Sequence, residues 1–559
     1  MQEYEQVQPK KWYKKLLSFW LVTEFLTINK LAWPCAITAF GSQMLPVISL
    51  FFTGHIGEGG VYLDGAALAL SFANISCKSI MIGLSSGMDT LCSQAYGAKN
   101  YPLVGLYFQR ALLIGLVSCL PIIAVCLNAE PILIMIHQDP QVAAIAGKYL
   151  KILCISNPAV AIYFMARKYV QSQRVVYPCI ILNVIGNLIN VTSHYILIIQ
   201  LKLGVEGAAI SLVISYWSLA IIYMGYIRCS SLYKSSWQGL RMDALKGWLH
   251  YCKFGVPGLI MLCLDWWTFE IGFLIVGATS VDPKIQVGIF SVMLNVSGQL
   301  FTIPVGFGIA ATVRVGNLLG ANNPSLARKT SYLCLSIIFL IGMHFSVAVF
   351  LLRSNLAQLF TKDECIIAGA SSGLYITAIY LNFDGLKLIG GAIIKGCGRQ
   401  KIGSITNLIV YQLFAVPLSI CLCVVAKMEA KGYWIGMASA IILQSLIFLL
   451  IVICTNWRKV ADEAQENAGI KSIYREQHAN HEYESLNLLT SRYKVDKRAK
   501  ERKFSGSICK IIMIGLFVAL FALGFGFSFK QYDNKAPARN VLIDHFNSSL
   551  NISRIVCQY

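Results

Sequence analysis

Charge is what this chain has least of: 13% of its 559 residues are Asp, Glu, Lys or Arg, against about a quarter in an ordinary soluble domain. That excludes a soluble globular body of this length. It also lacks a GxxxxGK[ST] loop to cradle phosphates, which removes ATP-driven transport from the readings this chain supports. No metal-ligand spacing and no Ser/His/Asp setting stands out, so an enzyme is not expected, nor a cofactor. Eighteen cysteines would suggest a disulfide framework by number, but no CxxC pairs them and most fall in apolar runs, so they read as free thiols acting as small hydrophobes. The start, MQEYEQVQPKKWYKK, leads into a full-length apolar stretch without a small-residue cleavage site, and no signal peptide is expected.

What is present is apolar. Hydrophobic residues make up 56% of the chain, in blocks such as 210–226, 332–352 and 511–527, each long enough to cross a hydrocarbon core of about 30 Å as a helix of roughly 17–25 residues. Polar breaks divide the chain into spans near 32–54, 64–92, 105–128, 143–167, 176–200, 205–228, 250–278, 286–315, 329–352, 366–394, 403–426 and 432–455. A thirteenth is expected near 509–528. The formal charge of +20 points to orientation in a membrane rather than to nucleic acid, because alternate short loops carry Lys and Arg. Lys99, the group Arg167, Lys168 and Arg174, then Arg228 to Lys246, Arg328 with Lys329, and Lys395 to Lys401 are placed with the N-terminus in the cytoplasm. The loops between them are poorer in cations in the first half and less clearly so in the second.

The polar segment 456–507 reads as a disordered cytoplasmic linker. An odd number of spans puts the tail outside, where the sequons at Asn547 and Asn551 are glycosylation candidates; those at Asn74, Asn190 and Asn295 fall within spans. The organisation expected is therefore a cytoplasmic N-terminus (1–30), a first lobe (31–228), an inter-lobe loop (229–249), a second lobe (250–455), a linker (456–507), a last span (508–529) and an extracellular tail (530–559).

The two lobes repeat. Pro34 and Gly54 recur as Pro257 and Gly277, and Tyr96-Gly-Ala-Lys-Asn100 recurs as Leu319-Gly-Ala-Asn-Asn323, all at an offset of 223. Six spans is an even number, so the repeats are parallel. The fold class is an all-α integral membrane protein: two six-helix lobes, related by an internal pseudo-two-fold axis, around a central cavity, plus a C-terminal span. Carriers built this way bind solute near the midplane between repeats and work by alternating access.

Ionisable groups inside spans are costly and usually face a cavity or a partner. Asp265, Glu270, Asp384 and Lys387 lie deep in the second lobe, and Asn74 and Lys78 in the first. Removing a carboxyl from water disfavours its charged form, which is what proton exchange requires. Asp265 and Glu270 are five apart, about 140° around a helix, so one can take protons while the other meets solute. Trp266, Trp267 and Phe269 lie between them, and an aromatic ring beside an acid suits a cation; interfacial anchoring and lipid contact are the plainer alternatives. Asp384 and Lys387 could simply pair along their own helix. Lys78 could be a counter-ion to an acid across the cavity, or could snorkel.

Met261-Leu-Cys-Leu-Asp-Trp-Trp-Thr-Phe-Glu270, Pro304-Val-Gly-Phe-Gly-Ile-Ala-Ala-Thr-Val-Arg-Val-Gly-Asn-Leu-Leu-Gly-Ala321, Gly396-Cys-Gly-Arg-Gln-Lys-Ile-Gly403 and Gly83-Leu-Ser-Ser-Gly-Met-Asp-Thr-Leu-Cys-Ser-Gln-Ala-Tyr-Gly97 resemble the animal, thirteen-span branch of the multidrug and toxin extrusion antiporters over about residues 30–455. The resemblance implies two lobes in a V and exchange of cytoplasmic organic cations for protons, driven by the proton gradient alone. It also implies membranes of excretory epithelia; the location expected is the plasma membrane, apical in epithelia, and the working unit expected is a monomer. It makes Glu270, Asp265 and Asp384 the coupling acids. Asn74, Trp266, Phe269, Asn295 and Lys78 are the substrate-binding candidates. Two of the three acids are Asp where the relatives carry Glu, Asn295 stands where they carry Glu, and Lys78 where they carry a small or apolar residue. Those departures keep two alternatives open: an anionic or zwitterionic solute, or sodium coupling, on the same fold. A non-transporting receptor or scaffold acting through the 456–507 segment is the remote one.

Overall fold

The computed structural model describes residues 10–56, 60–136, 138–237 and 239–470. Among them are twelve helices long and apolar enough to span a membrane. They are α1 (Lys10–Thr53), α2 (Val61–Gly97), α3 (Tyr101–Leu127), α4 (Pro140–Ser172), α5 (Tyr177–Gln200), α6 (Gly204–Cys229), α7 (Trp248–Thr279), α8 (Pro283–Gly320), α9 (Pro324–Gln358), α10 (Glu364–Gly396), α11 (Gln400–Val424) and α12 (Glu429–Ile453). Each has a counterpart among the spans expected from the sequence. The thirteenth span and the sequons at Asn547 and Asn551 lie outside the described residues. The sixteen cysteines among the described residues are free.

Helices α1–α6 pack on one another as one lobe and α7–α12 as the other. The repeat seen in the sequence is also written in the backbone. Left-handed residues terminate or link helices in matched pairs, Lys99 with Asn322, Arg174 with Gly398, Lys202 with Lys427 and Gly204 with Glu429, at offsets of 223 to 225. Non-glycine residues adopt that region rarely, so its recurrence marks equivalent turns. Polar pins recur as well. Asn183 of α5 donates to Tyr223 of α6 (2.8 Å), while its counterpart Asn407 of α11 accepts from Gln444 of α12 (2.6 Å) and donates to the Met261 carbonyl of α7 (2.8 Å). In hydrocarbon such bonds have no competing water.

Two expectations are corrected. Helix α1 starts at Lys10, well inside the segment read as an N-terminal tail, and its buried Glu24 grips Arg314 of α8 with two bonds, 2.6 and 2.7 Å, and accepts from Thr330 of α9 (2.9 Å). The segment read as an unstructured linker also begins with a helix, α13 (Trp457–Asn467). The Asn456 side chain caps it by accepting from the Lys459 amide, as N-cap residues do. Trp457, Val460, Ala461 and Ala464 form one buried stripe against α8 and α9.

The lobes meet through α2 against α7 and α8, and α1 against α8. Small residues allow the approach: a Cβ on Gly83 would strike Leu259, one on Gly258 would strike Ser86, and one on Gly306 would strike Ala36. Along α2, these contacts run from Ser79 and Cys263 (3.7 Å) down to the turns after Gly97 and Gly320.

Candidate functional site

Helix α7 organises the site because its faces look in different directions. Thr268 and Gly272 lie against Tyr433 and Phe290 of its own lobe, and Asp265 shares that side. Leu259 and Cys263 touch Gly83 and Ser79 of the other lobe. Residues seven apart on an α-helix lie within about 20° of each other. Trp266 and Glu270 are therefore one heptad further along the face that meets the first lobe.

On the second-lobe side, Lys387 of α10 sits between two carboxylates, 2.8 Å from Asp384 and 3.3 Å from Asp265. Its ammonium also donates to Tyr411 of α11 (3.1 Å) and lies 5.8 Å from the centre of the Phe301 ring. All three charged side chains are largely buried. The intrahelical Asp384–Lys387 pair is thus present, and the same lysine reaches across to α7. Three helices are tied by one charge, and the cluster has two acids for one base. Sequence reasoning missed Tyr411: a lone Tyr in an apolar run gives no signal until its neighbours are known.

Glu270 differs. Half-buried on the face toward the first lobe, it has no hydrogen bond or ion pair among the described residues. Of the aromatic residues beside it, Phe269 packs on Trp434, 6.0 Å between ring centres, at the edge of a cluster with Phe290 and Tyr380. That places it with the second-lobe core, away from Glu270. Trp267 is exposed on the outer surface and Trp266 is half-buried. Asn295 is exposed and bonds only within its own helix, to the Ser291 carbonyl at 2.9 Å and to the Ser291 hydroxyl at 3.5 Å. No bond joins it to Asp265 or Lys387 among the described residues.

The first-lobe candidates share a π-helical turn, Asn74–Lys78, inside α2. Such turns carry one extra residue and often mark functional positions. This one packs near α7. Lys78 bonds Gln43 of α1 at 2.8 Å, and no acid lies within ion-pair distance of it among the described residues. Deeper in the lobe, Lys168 holds Asp89 with bonds of 2.7 and 2.9 Å.

Toward the Gly97 and Gly320 turns the lobes are locked together. Thr90 donates to the Lys395 carbonyl and accepts from Gln400, and Gln94 donates to the Gly396 carbonyl (3.0 Å). Helix α13 spans the joint. On the second lobe Gln465 donates to the Gly320 carbonyl and Glu463 approaches Arg399 (4.0 Å). On the first, Asn467 donates to Gln94 (3.1 Å), Tyr107 donates to the Asn467 carbonyl (2.8 Å) and Asn100 to the Ala468 carbonyl (2.9 Å). The lobes are shut against each other at this end, and the charged cluster, Glu270 and the π turn lie farther along the helices.

The family model described as MatE matches residues 34–196 and 257–421, one segment in each lobe. Among curated proteins, multidrug and toxin extrusion protein 1 of Danio rerio is 34% identical over 462 residues, 83% of this chain and 78% of that protein. The Homo sapiens protein of the same name is 34% identical over 448 residues, 80% of this chain and 78% of that one. The crystal structure of the eukaryotic MATE transporter AtDTX14 superposes with a TM-score of 0.77 at 31% identity, covering 80% of this chain and 99% of that one. An outward-facing MATE family transporter at 15% identity has a TM-score of 0.68 and shares the fold.

Proposed function

The chain belongs to the multidrug and toxin extrusion (MATE) family of membrane transporters, and from that membership we propose that it exports organic cations in exchange for protons by alternating access. The observation that carries this reading is Glu270: an acid with no counter-ion among the described residues, on the side of α7 that faces the other lobe, with Trp266 one turn away. A proton and an organic cation both neutralise that carboxylate, so each excludes the other. A carrier whose lobes rock only when the charge is satisfied then exchanges the two. The ring of Trp266 adds attraction for a quaternary or protonated amine.

The Asp265–Lys387–Asp384 cluster serves as the coupling element. It joins α7, α10 and α11, so a change in its charge state alters how those helices pack, and Lys387 occupies the acids when no other cation does. The driving force is the proton gradient. In this reading the N-terminus and the Gly97 and Gly320 turns are cytoplasmic, which the positive loops support, and the membrane is the plasma membrane, apical in epithelia, as the family resemblance suggests. The shut end then faces the cytoplasm, with the monomer as the working unit.

Saturable uptake of tetraethylammonium into inverted vesicles tests the assignment. Glu270→Gln is expected to reduce it at least tenfold at equal expression, and Trp266→Ala to raise the half-saturating concentration by about 2- to 30-fold, the equivalent of a cation–π contact of roughly 0.5–2 kcal/mol. Glu270→Gln uptake equal to wild type would overturn the role given to that acid.

A further inference from the structure

Among the described residues, three largely buried cations of the membrane spans have acid partners. Lys168 has Asp89, Arg314 has Glu24, and Lys387 has two carboxylates. Two first-lobe cations, Arg167 and Lys78, differ from these three. Arg167 of α4 is 7% exposed; its Nη1 donates to Ser42 (2.8 Å) and Tyr163 (3.2 Å), both neutral, and its Nε is buried with no hydrogen bond. The Tyr163 and Phe164 rings lie 5.2 and 4.9 Å away and offset only part of its charge. Lys78 has the neutral Gln43. Ser42 and Gln43 are consecutive in α1, so the two cations are held at adjoining points on one helix. Neither has a carboxylate within 4 Å among the described residues.

A buried guanidinium with an unmet N–H and a second cation beside it is an expensive arrangement in a low-dielectric interior, because desolvation and mutual repulsion add. The usual physical remedy is an anion. From these observations we infer that the first lobe contains a binding site for a small singly charged anion, held by Arg167 and Lys78 with the hydroxyls of Ser42 and Tyr163 shaping it. The occupant is either a free ion such as chloride or the carboxylate of the transported solute. In the second case the solute is a zwitterion: its carboxylate sits at Lys78 on the π turn, and its cationic group reaches α7, next to which that turn packs. That second form rests on the cation role given to Glu270; the anion site itself does not.

The test is the thermal melting midpoint of the full-length protein in detergent. It is titrated with sodium chloride, sodium acetate or trimethylammonioacetate, at ionic strength held constant with the sodium salt of a bulky sulfonate buffer. Wild type is expected to show a saturable rise with chloride and acetate. Lys78→Gln, which replaces a half-buried side chain and keeps a hydrogen-bonding end for Gln43, is expected to raise the half-saturating concentration at least tenfold, as is Arg167→Gln where it folds. A wild-type midpoint indifferent to these anions, or a Lys78→Gln response equal to wild type, would overturn the site. Trimethylammonioacetate at least tenfold tighter than acetate, with that advantage lost in Glu270→Gln, assigns the anion to the solute. Equal affinities that Glu270→Gln leaves unchanged assign it to a free ion. Because chloride and acetate responses do not involve Glu270, they succeed or fail independently of cation export.

Discussion

Replacing Lys387 by Met removes the single positive charge from a cluster that has two negative ones. At an effective dielectric constant of 20, unit charges 2.8 Å apart attract by about 6 kcal/mol and those 3.3 Å apart by about 5 kcal/mol, in gross terms before desolvation. The Asp265 and Asp384 oxygens that share the ammonium are no more than about 6 Å from each other, where like charges repel by about 3 kcal/mol. The folded protein escapes most of this by relaxation, so the net loss expected is the one typical of breaking a buried pair, about 3–5 kcal/mol. Denaturant titration in mixed micelles checks it. The decisive comparison is Lys387→Met combined with Asp384→Asn, which removes one acid together with the base. The double variant should recover at least half of the loss. Were Lys387→Met to cost under about 1 kcal/mol, the range of a surface pair, or the double variant to be no more stable than the single one, the lysine would not be the clamp between α7 and α10.

Two further experiments probe the shut end. Gly320→Ala places a methyl group on the Gln94 carbonyl and should lower the melting midpoint and transport together, whereas Gly225→Ala, with open space around it, should leave both within error; equal behaviour of the two would contradict the close lobe contact. Asn467→Ala with Tyr107→Phe removes two of the first-lobe bonds of α13, each worth about 1 kcal/mol. Spin labels at the exposed Ser231 and Ser325 should then report a broader, longer distance distribution, and an unchanged one would mean that α13 does not latch the lobes.

The spans were legible because charge-free runs of membrane length are rare in any setting but a bilayer, and the lobes because Pro34, Gly97 and Asn100 recur at one spacing. The 140° between Asp265 and Glu270 foretold that they would part company, and one faces Lys387 while the other faces the opposite lobe. Partners across helices were not legible. Asp265 and Lys387 are 122 positions apart, and nothing local to either announces the other. Helix α13 was hidden by averaging: the polar composition of 456–507 masks the i, i+3, i+4, i+7 stripe of Trp457, Val460, Ala461 and Ala464, a pattern that periodicity can detect and composition cannot. Glu24 gave no signal because it and Lys30 interrupt the apolar run, which puts the expected start of the first span at 32. Asn295 was marked by its place in a resemblance, and the structure leaves it bonded to its own helix.

The most direct measurement of cation-for-proton exchange is counter-flow in proteoliposomes holding the purified protein, with an organic cation and internal pH followed together. An outwardly directed cation gradient at equal pH should drive protons inward, an imposed pH gradient should drive the cation against its own gradient, and Glu270→Gln should abolish both. Cation movement indifferent to the pH gradient, or one that follows a sodium gradient instead, would contradict proton exchange at Glu270.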